Sequence, residues 1–187
     1  MGATIIVAGL GRCGSSMLMQ MLHSGGVPCV GAWPAFEDSR VSSTVEPSFV
    51  AECAGRALKV LDPQRVGLPG DVRVIWLDRD HRQQAKSHAK FLAMLTGHQY
   101  DRAGRRALAA SFVRDTHAAM STIGSRPLIR LRFEDVLKDP LLTACTLAEF
   151  VGMGMSVANA SRAVRQRSPA CAPGLDMELS LLEGAGA

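Results

Sequence analysis

One stretch near the start of the chain, Gly9-Leu10-Gly11-Arg12-Cys13-Gly14-Ser15-Ser16, narrows what it can fold into. It follows an apolar, β-branched run from Thr4 to Ala8. It precedes a helical pattern with apolar residues at Met17, Leu18, Met21 and Leu22. Strand, glycine turn, helix is the context in which such a loop becomes a phosphate site. Glycines let the backbone curl so that successive N–H groups point inward. The helix start adds unpaired donors and the positive end of its dipole. Arg12 adds a fixed charge on a planar fork of donors.

The loop departs from the Walker A pattern, G-x-x-x-x-G-K-[ST], because Ser15 stands where the lysine belongs. The long cation, Arg12, has moved three residues earlier into the arch. Further strands are expected at 58–61, Val72 to Leu77 and Leu128 to Leu131. Helices are expected near Glu46 to Glu52 and over Arg82 to Leu95, Asp101 to Ile123, Phe133 to Lys138, Pro140 to Phe150 and Ser156 to Gln166. Residues 28–50 read as a long irregular segment and 63–71 as a turn region. Strands alternating with helices predict a P-loop-type three-layer α/β/α fold with a mainly parallel sheet. Ligands in such sheets bind beyond the carboxyl ends of the strands. At 187 residues the chain reads as one domain over 1–167, with 168–187 as a mobile terminal tail.

Composition excludes several classes. No apolar run approaches the roughly 20 residues needed to span a bilayer, and the first residues lack a basic leader, which argues against a signal peptide. Five scattered cysteines with no CxxC spacing point to a reducing, cytoplasmic setting and to no structural zinc. The net charge of +4 suits a small anionic ligand and is too small to imply nucleic acid. No membrane partner is expected, and the oligomeric state is left open.

A second phosphate motif follows the strand at Val72 to Leu77. Arg79 stands at the strand end, with Ser87 eight residues later on the next helix. A dianionic phosphate is fixed by one forked cation and one hydroxyl from different elements. The simpler alternative is that Arg79-Asp80 caps a helix and Ser87 is solvated.

The first loop resembles the 5′-phosphosulfate loop of sulfotransferases that use 3′-phosphoadenosine 5′-phosphosulfate (PAPS). The Arg79…Ser87 pair resembles their 3′-phosphate motif. A third stretch, Leu131-Arg132-Phe133-Glu134-Asp135-Val136-Leu137-Lys138-Asp139-Pro140, is similar to a segment common in these enzymes, and Gly55 to Val60 to one in their small relatives. The resemblance spans most of residues 3–152. It implies PAPS as co-substrate, no metal, and sulfuryl transfer to a hydroxyl or amine of a small-molecule or protein acceptor. It implies nucleotide binding by Gly11, Arg12, Cys13, Gly14, Ser15, Ser16, Arg79 and Ser87. Arg12 then serves catalysis, and a carboxylate from the segment after the first helix serves as general base. Glu37, Asp38 and Glu46 are the candidates, and Glu46 is preferred because it matches an upstream glutamate in small relatives. Lys59 either orients the sulfonate or snorkels from a strand edge.

Two features depart from the family. The late basic-glycine loop has no match, and Arg162, Arg165 and Arg167 read first as surface helix residues. Cys13 stands where a serine or lysine is usual, either as a small side chain filling the arch or as a thiol activated at a helix start. Two other readings remain open at this point. One is a P-loop kinase or NTPase using Mg-ATP, with Val74-Ile75-Trp76-Leu77-Asp78 as a Walker B strand. The other is a non-catalytic nucleotide-binding module.

Overall fold

β1 (Thr4–Gly9) is buried along its whole length, as its apolar β-branched sequence requires of a central strand. A computed structural model describes residues 2–41, 44–152 and 154–164. β1 is flanked by β2 (Ala57–Leu61) and β3 (Val72–Asp78), and β4 (Leu128–Arg132) forms the far edge. The order is β2-β1-β3-β4 with every pairing parallel. The register sets Val7 beside Lys59 on one side and Ile75 on the other.

The connections alternate with helices: α1 (Ser15–Ser24), α2 (Pro47–Glu52), α3 (Pro63–Val66), α4 (His81–Thr96), α5 (Arg102–Ile123), α6 (Phe133–Lys138), α7 (Pro140–Val151) and α8 (Val157–Arg162). Side-chain alternation along the strands divides the core in two. Ile5, Val7, Ile75 and Leu77 pack against α1, α6, α7 and α8. Ile6, Ala8, Val74 and Trp76 pack against α2, α3, α4 and α5. Each fully buried large side chain of these layers contributes about 1.5–3 kcal/mol relative to exposure.

The three-layer arrangement with a parallel sheet is therefore present. Residues 63–66 form a short helix where the sequence suggested only a turn. Pro63 at its first position explains why: a fixed φ suits a helix start. The last helix ends at Arg162 rather than Gln166. The tail 168–187 lies outside the described residues. Among the described residues no helix is long and apolar enough to cross a membrane.

The topology positions a site. From β1 the chain turns to β2 on one side, and from β3 to β4 on the other. The carboxyl ends of β1 and β3 therefore flank the point where the strand order reverses, which is where open α/β sheets bind ligands.

Candidate functional site

Two loops meet at that crevice. Gly9 closes β1, and the chain arches back so that the Cys13 N–H donates to the Leu10 carbonyl at 3.1 Å. Arg12 and Gly14 both take positive φ, 68° and 102°. A Cβ on Gly9 would meet Cys13 Sγ at 2.5 Å, and one on Gly14 would meet the Phe133 ring at 2.5 Å, so neither position has room for a side chain. Gly14 caps α1 without any side-chain acceptor, leaving the first N–H groups of that helix uncapped. An uncapped, glycine-preceded helix start is an anion site.

Arg12 and Ser87 come together across the crevice: Arg12 Nε donates to Ser87 Oγ at 3.4 Å, and the guanidinium lies 5.1 Å from the Phe91 ring centre. Arg79, at the end of β3, donates from Nη1 to the Arg12 carbonyl at 2.9 Å and stacks 4.4 Å over Phe133. Burial lowers the Arg79 pKa, and the Glu134 carboxylate opposes that shift. Its Nε is buried with no hydrogen-bond partner in the structure. Asp80 does cap α4, accepting from the Gln83 N–H at 2.9 Å, while Arg79 itself points back to the loop.

A buried lysine closes the other side. Lys59 lies on β2 on the α1 face of the sheet. Its Nζ donates to the Ala35 carbonyl at 2.6 Å, to Glu37 Oε1 at 2.9 Å and to Ser16 Oγ at 3.3 Å. Desolvation lowers its pKa, and Glu37 pulls it back up. Ser15 is buried and Ser16 half-buried at the start of α1. Glu46 lies elsewhere: it is the exposed residue ahead of α2, and that helix is tied to the opposite end of β1 by Thr4 Oγ1 donating to the Val50 carbonyl. Among the described residues, Glu46 makes no side-chain hydrogen bond or ion pair to the loop. Asp38 is held instead by Arg40, in a 2.8 Å ion pair.

Cys13 is buried in the arch. Desolvation pushes its thiol up to about 11, against lowering by its hydrogen bonds with Ser15, so packing wins over the helix start.

Gln84 and Asp62 carry no motif in the sequence, and His88, which its place beside Ser87 suggests points elsewhere on the helix, instead faces the loop. Gln84, 2% exposed on α4, donates from Nε2 to the carbonyls of Leu10 (3.3 Å) and Gly11 (2.9 Å). Asp62 follows β2 with φ 50°. Its N–H donates to the Gly9 carbonyl at 3.0 Å, and burial raises its carboxyl pKa. His88 approaches Gly11, and burial followed by the Arg12 charge lowers its pKa. A polar glutamine beside the buried Ala85 and Ala89 is the signal that could have exposed Gln84.

The Walker B aspartate is spent. Asp78 Oδ1 accepts from Trp76 Nε1 at 2.7 Å. Its Oδ2 accepts from Arg130 Nε and Nη2 at 3.0 and 2.7 Å, on the sheet face away from α1. Among the described residues no group of three or more His, Cys, Asp or Glu side chains is placed to hold a metal ion. Arg162 lies on α8, which packs on α1 and α7. Arg165 and Arg167 lie outside the described residues.

No family model matches the sequence. No curated protein matches it either. Among solved structures, a mouse sulfotransferase in complex with PAP is similar at TM-score 0.57 and 12% identity, over 86% of this chain and 64% of that one. A retinol dehydratase in complex with androsterone and the inactive cofactor PAP is similar at 0.52 and 15%, over 86% and 62%. A sulfotransferase domain from the curacin biosynthetic pathway is similar at 0.52 and 12%, over 90% and 85%. The chain thus spans less than two thirds of the first two proteins. At these identities the likeness establishes the fold, which is that of sulfotransferases.

Proposed function

We propose that this chain is a sulfotransferase that takes a sulfuryl group from PAPS to a hydroxyl or amine acceptor. The observation that carries the reading is the convergence of Arg12, Ser87 and Arg79, from three separate elements, at the point where strand order reverses. The residues present fit the nucleotide. The buried, unpartnered Nε of Arg79 is a cationic donor awaiting an acceptor, and the uncapped start of α1 is a second anion site.

PAPS, when bound, supplies a sulfuryl group already activated on a phosphate. The protein's part is positioning and charge stabilisation. In this reading Arg79 and Ser87 hold the 3′-phosphate. Gly11, Gly14 and the N–H groups of Gly14 to Ser16 cradle the 5′-phosphate, with the Ser15 and Ser16 hydroxyls as further donors, while the Cys13 N–H is already bonded to the Leu10 carbonyl and shapes the arch. Arg12 meets the negative charge that grows on the leaving oxygen. Lys59, already bonded to Ser16 Oγ, adds a cation on the opposite side.

The acceptor's proton goes to a carboxylate. Sequence pattern favoured Glu46. Position favours Glu37, whose Oε1 is 2.9 Å from Lys59 Nζ and whose side chain is 53% exposed to an incoming acceptor. Four described cysteines are unpaired thiols, in keeping with a cytoplasmic setting.

Calorimetric titration with adenosine 3′,5′-bisphosphate, beside Mg-ATP, tests the reading. Tight metal-free binding of the bisphosphate, lost in Arg79→Ala, is the expected result. Preference for Mg-ATP would replace the assignment with a kinase. Binding of the bisphosphate without transfer to any acceptor would leave a nucleotide-binding module.

A further inference from the structure

One strongly charged feature is lined by none of the phosphate-loop residues. Between α4 and α5 lies a cleft of about 640 Å³, lined by Arg82, Lys86, Arg102, Arg105, Arg106 and Ala109. Five of the six lining residues are cationic, and all five are exposed. No carboxylate lines it. Among the described residues Arg82, Lys86, Arg102 and Arg106 make no hydrogen bond or ion pair through their side chains. Arg105 donates to the Tyr100 carbonyl at 3.0 Å.

The placement works against the helices that carry it. Arg82, Arg102 and Arg105 sit at the starts of α4 and α5, where the helix dipole is already positive and a cation is unfavourable. Neither helix has an acidic residue in its first turn, and the caps Asp80 and Asp101 are engaged with the N–H groups of Gln83 and Gly104. Residues 102–109 alone extend the basic wall by about 10 Å at the rise of a helix. The cations line a wall facing solvent and are not scattered around the molecule.

We propose that the α4–α5 cleft binds an anionic polysaccharide. A row of arginine forks matches repeated carboxylate or sulfate groups along a chain. The lining decides between polymers. It holds no aromatic ring, and so lacks the stacking platform on which single-stranded nucleic acid is held. Its one apolar residue is Ala109, so it lacks the anchor pocket on which a peptide interface depends. A glycan carries charge and hydroxyls without either demand. The cleft lies on the flank of α4, whose other flank presents Gln84, Ser87 and His88 to the phosphate loop. The binding claim stands apart from the transfer chemistry.

The test titrates a labelled heparin-derived octasaccharide into the full chain at low and physiological salt, with oligothymidylate and polyglutamate as competitors. Binding should weaken with salt and fall about tenfold in Arg102→Ala/Arg105→Ala/Arg106→Ala. It should fall also in Arg82→Ala/Lys86→Ala, which alters the opposite wall if the first variant misfolds. Circular dichroism should match the parent, and titration with adenosine 3′,5′-bisphosphate should be unchanged, which separates failure here from failure of the nucleotide site. Absent binding, equal binding by a folded variant, or equal competition by either other polymer would overturn the proposal.

Discussion

Lys59 Nζ lies 2.9 Å from Glu37 Oε1, an ion pair in which the lysine side chain is 3% exposed and the glutamate 53%. The asymmetry matters. The lysine carries most of the desolvation cost, so its pKa falls below the ordinary 10.5 despite its partner. Removing one partner of a buried ion pair is costly when the other stays buried, but Glu37 is half exposed and is solvated on its own. Lys59→Met should therefore keep the fold while slowing sulfuryl transfer on the order of 10²-fold, as losing a charge-stabilising donor does. The sign of the pH effect follows. Between the depressed folded pKa and 10.5, the unfolded chain binds the proton and the folded one does not, so the lysine's cost to stability shrinks as pH rises. Any stability advantage of Lys59→Met measured by urea melts at pH 7 should therefore diminish toward pH 10. An advantage that grew with pH would mean the lysine is not desolvated.

Glu37 and Glu46 can be separated as general bases. Glu37→Gln keeps an oxygen for Lys59 but cannot take a proton. Turnover should fall by about 10²–10⁴ with bisphosphate affinity unchanged, and Glu46→Gln should have little effect. The reverse outcome would restore the residue that sequence pattern favours and show that the segment before α2 moves on acceptor binding.

Cys13 should be inert although it sits in the loop. Its thiol is pushed up to about 11 and Cys29 to about 12, both chiefly by burial. Cys145 is exposed. Iodoacetamide at pH 8, read site by site by mass spectrometry, should label Cys145 well before Cys13. Rapid labelling of Cys13 in folded protein would show that the loop opens.

The fold was legible because its strands are short, apolar and separated by strong punctuation. β1, β3 and β4 were placed within a residue or two by that pattern. The motifs also single out Arg12, Arg79 and Ser87, and the structure joins Arg12 to each of the other two by a hydrogen bond. The supporting layer was not legible. Gln84 and Asp62 act through contacts between residues more than 20 positions apart, which motif spacing does not encode, and for Lys59 the sequence leaves open whether it orients the sulfonate or snorkels until its buried contacts decide where it points. Glu37 was one of three loop carboxylates in a segment without periodicity, so only its ion pair singles it out. The basic cleft was hidden for the same reason: five cations from two helices form no run in the sequence.

Asp78→Asn separates the transferase from a kinase. The carboxylate is held by Arg130 and by the Trp76 indole, and the Arg130 pair is partly exposed at 51% and 21%. An asparagine still offers the indole an acceptor, so the loss of stability should stay below about 1 kcal/mol. Metal-free binding of adenosine 3′,5′-bisphosphate should be unchanged. A variant that lost nucleotide binding together with a magnesium requirement would make Asp78 a metal ligand.

Gly14 couples the two phosphate motifs through one aromatic ring. It holds φ 102°, and an added Cβ would sit 2.5 Å from Phe133, the ring over which Arg79 stacks at 4.4 Å. Gly14→Ala must therefore either distort the loop or displace Phe133, and displacement carries Arg79 with it. Backbone strain of about 1–3 kcal/mol adds to an overpacking cost of similar size. Gly55 provides the control: its φ is 74° with nothing within 4 Å of an added Cβ, so Gly55→Ala carries the backbone strain alone. Thermal melts should rank Gly14→Ala as the less stable of the two. Bisphosphate affinity should fall in Gly14→Ala and hold in Gly55→Ala. Equal affinity in both would show that Phe133 does not position Arg79.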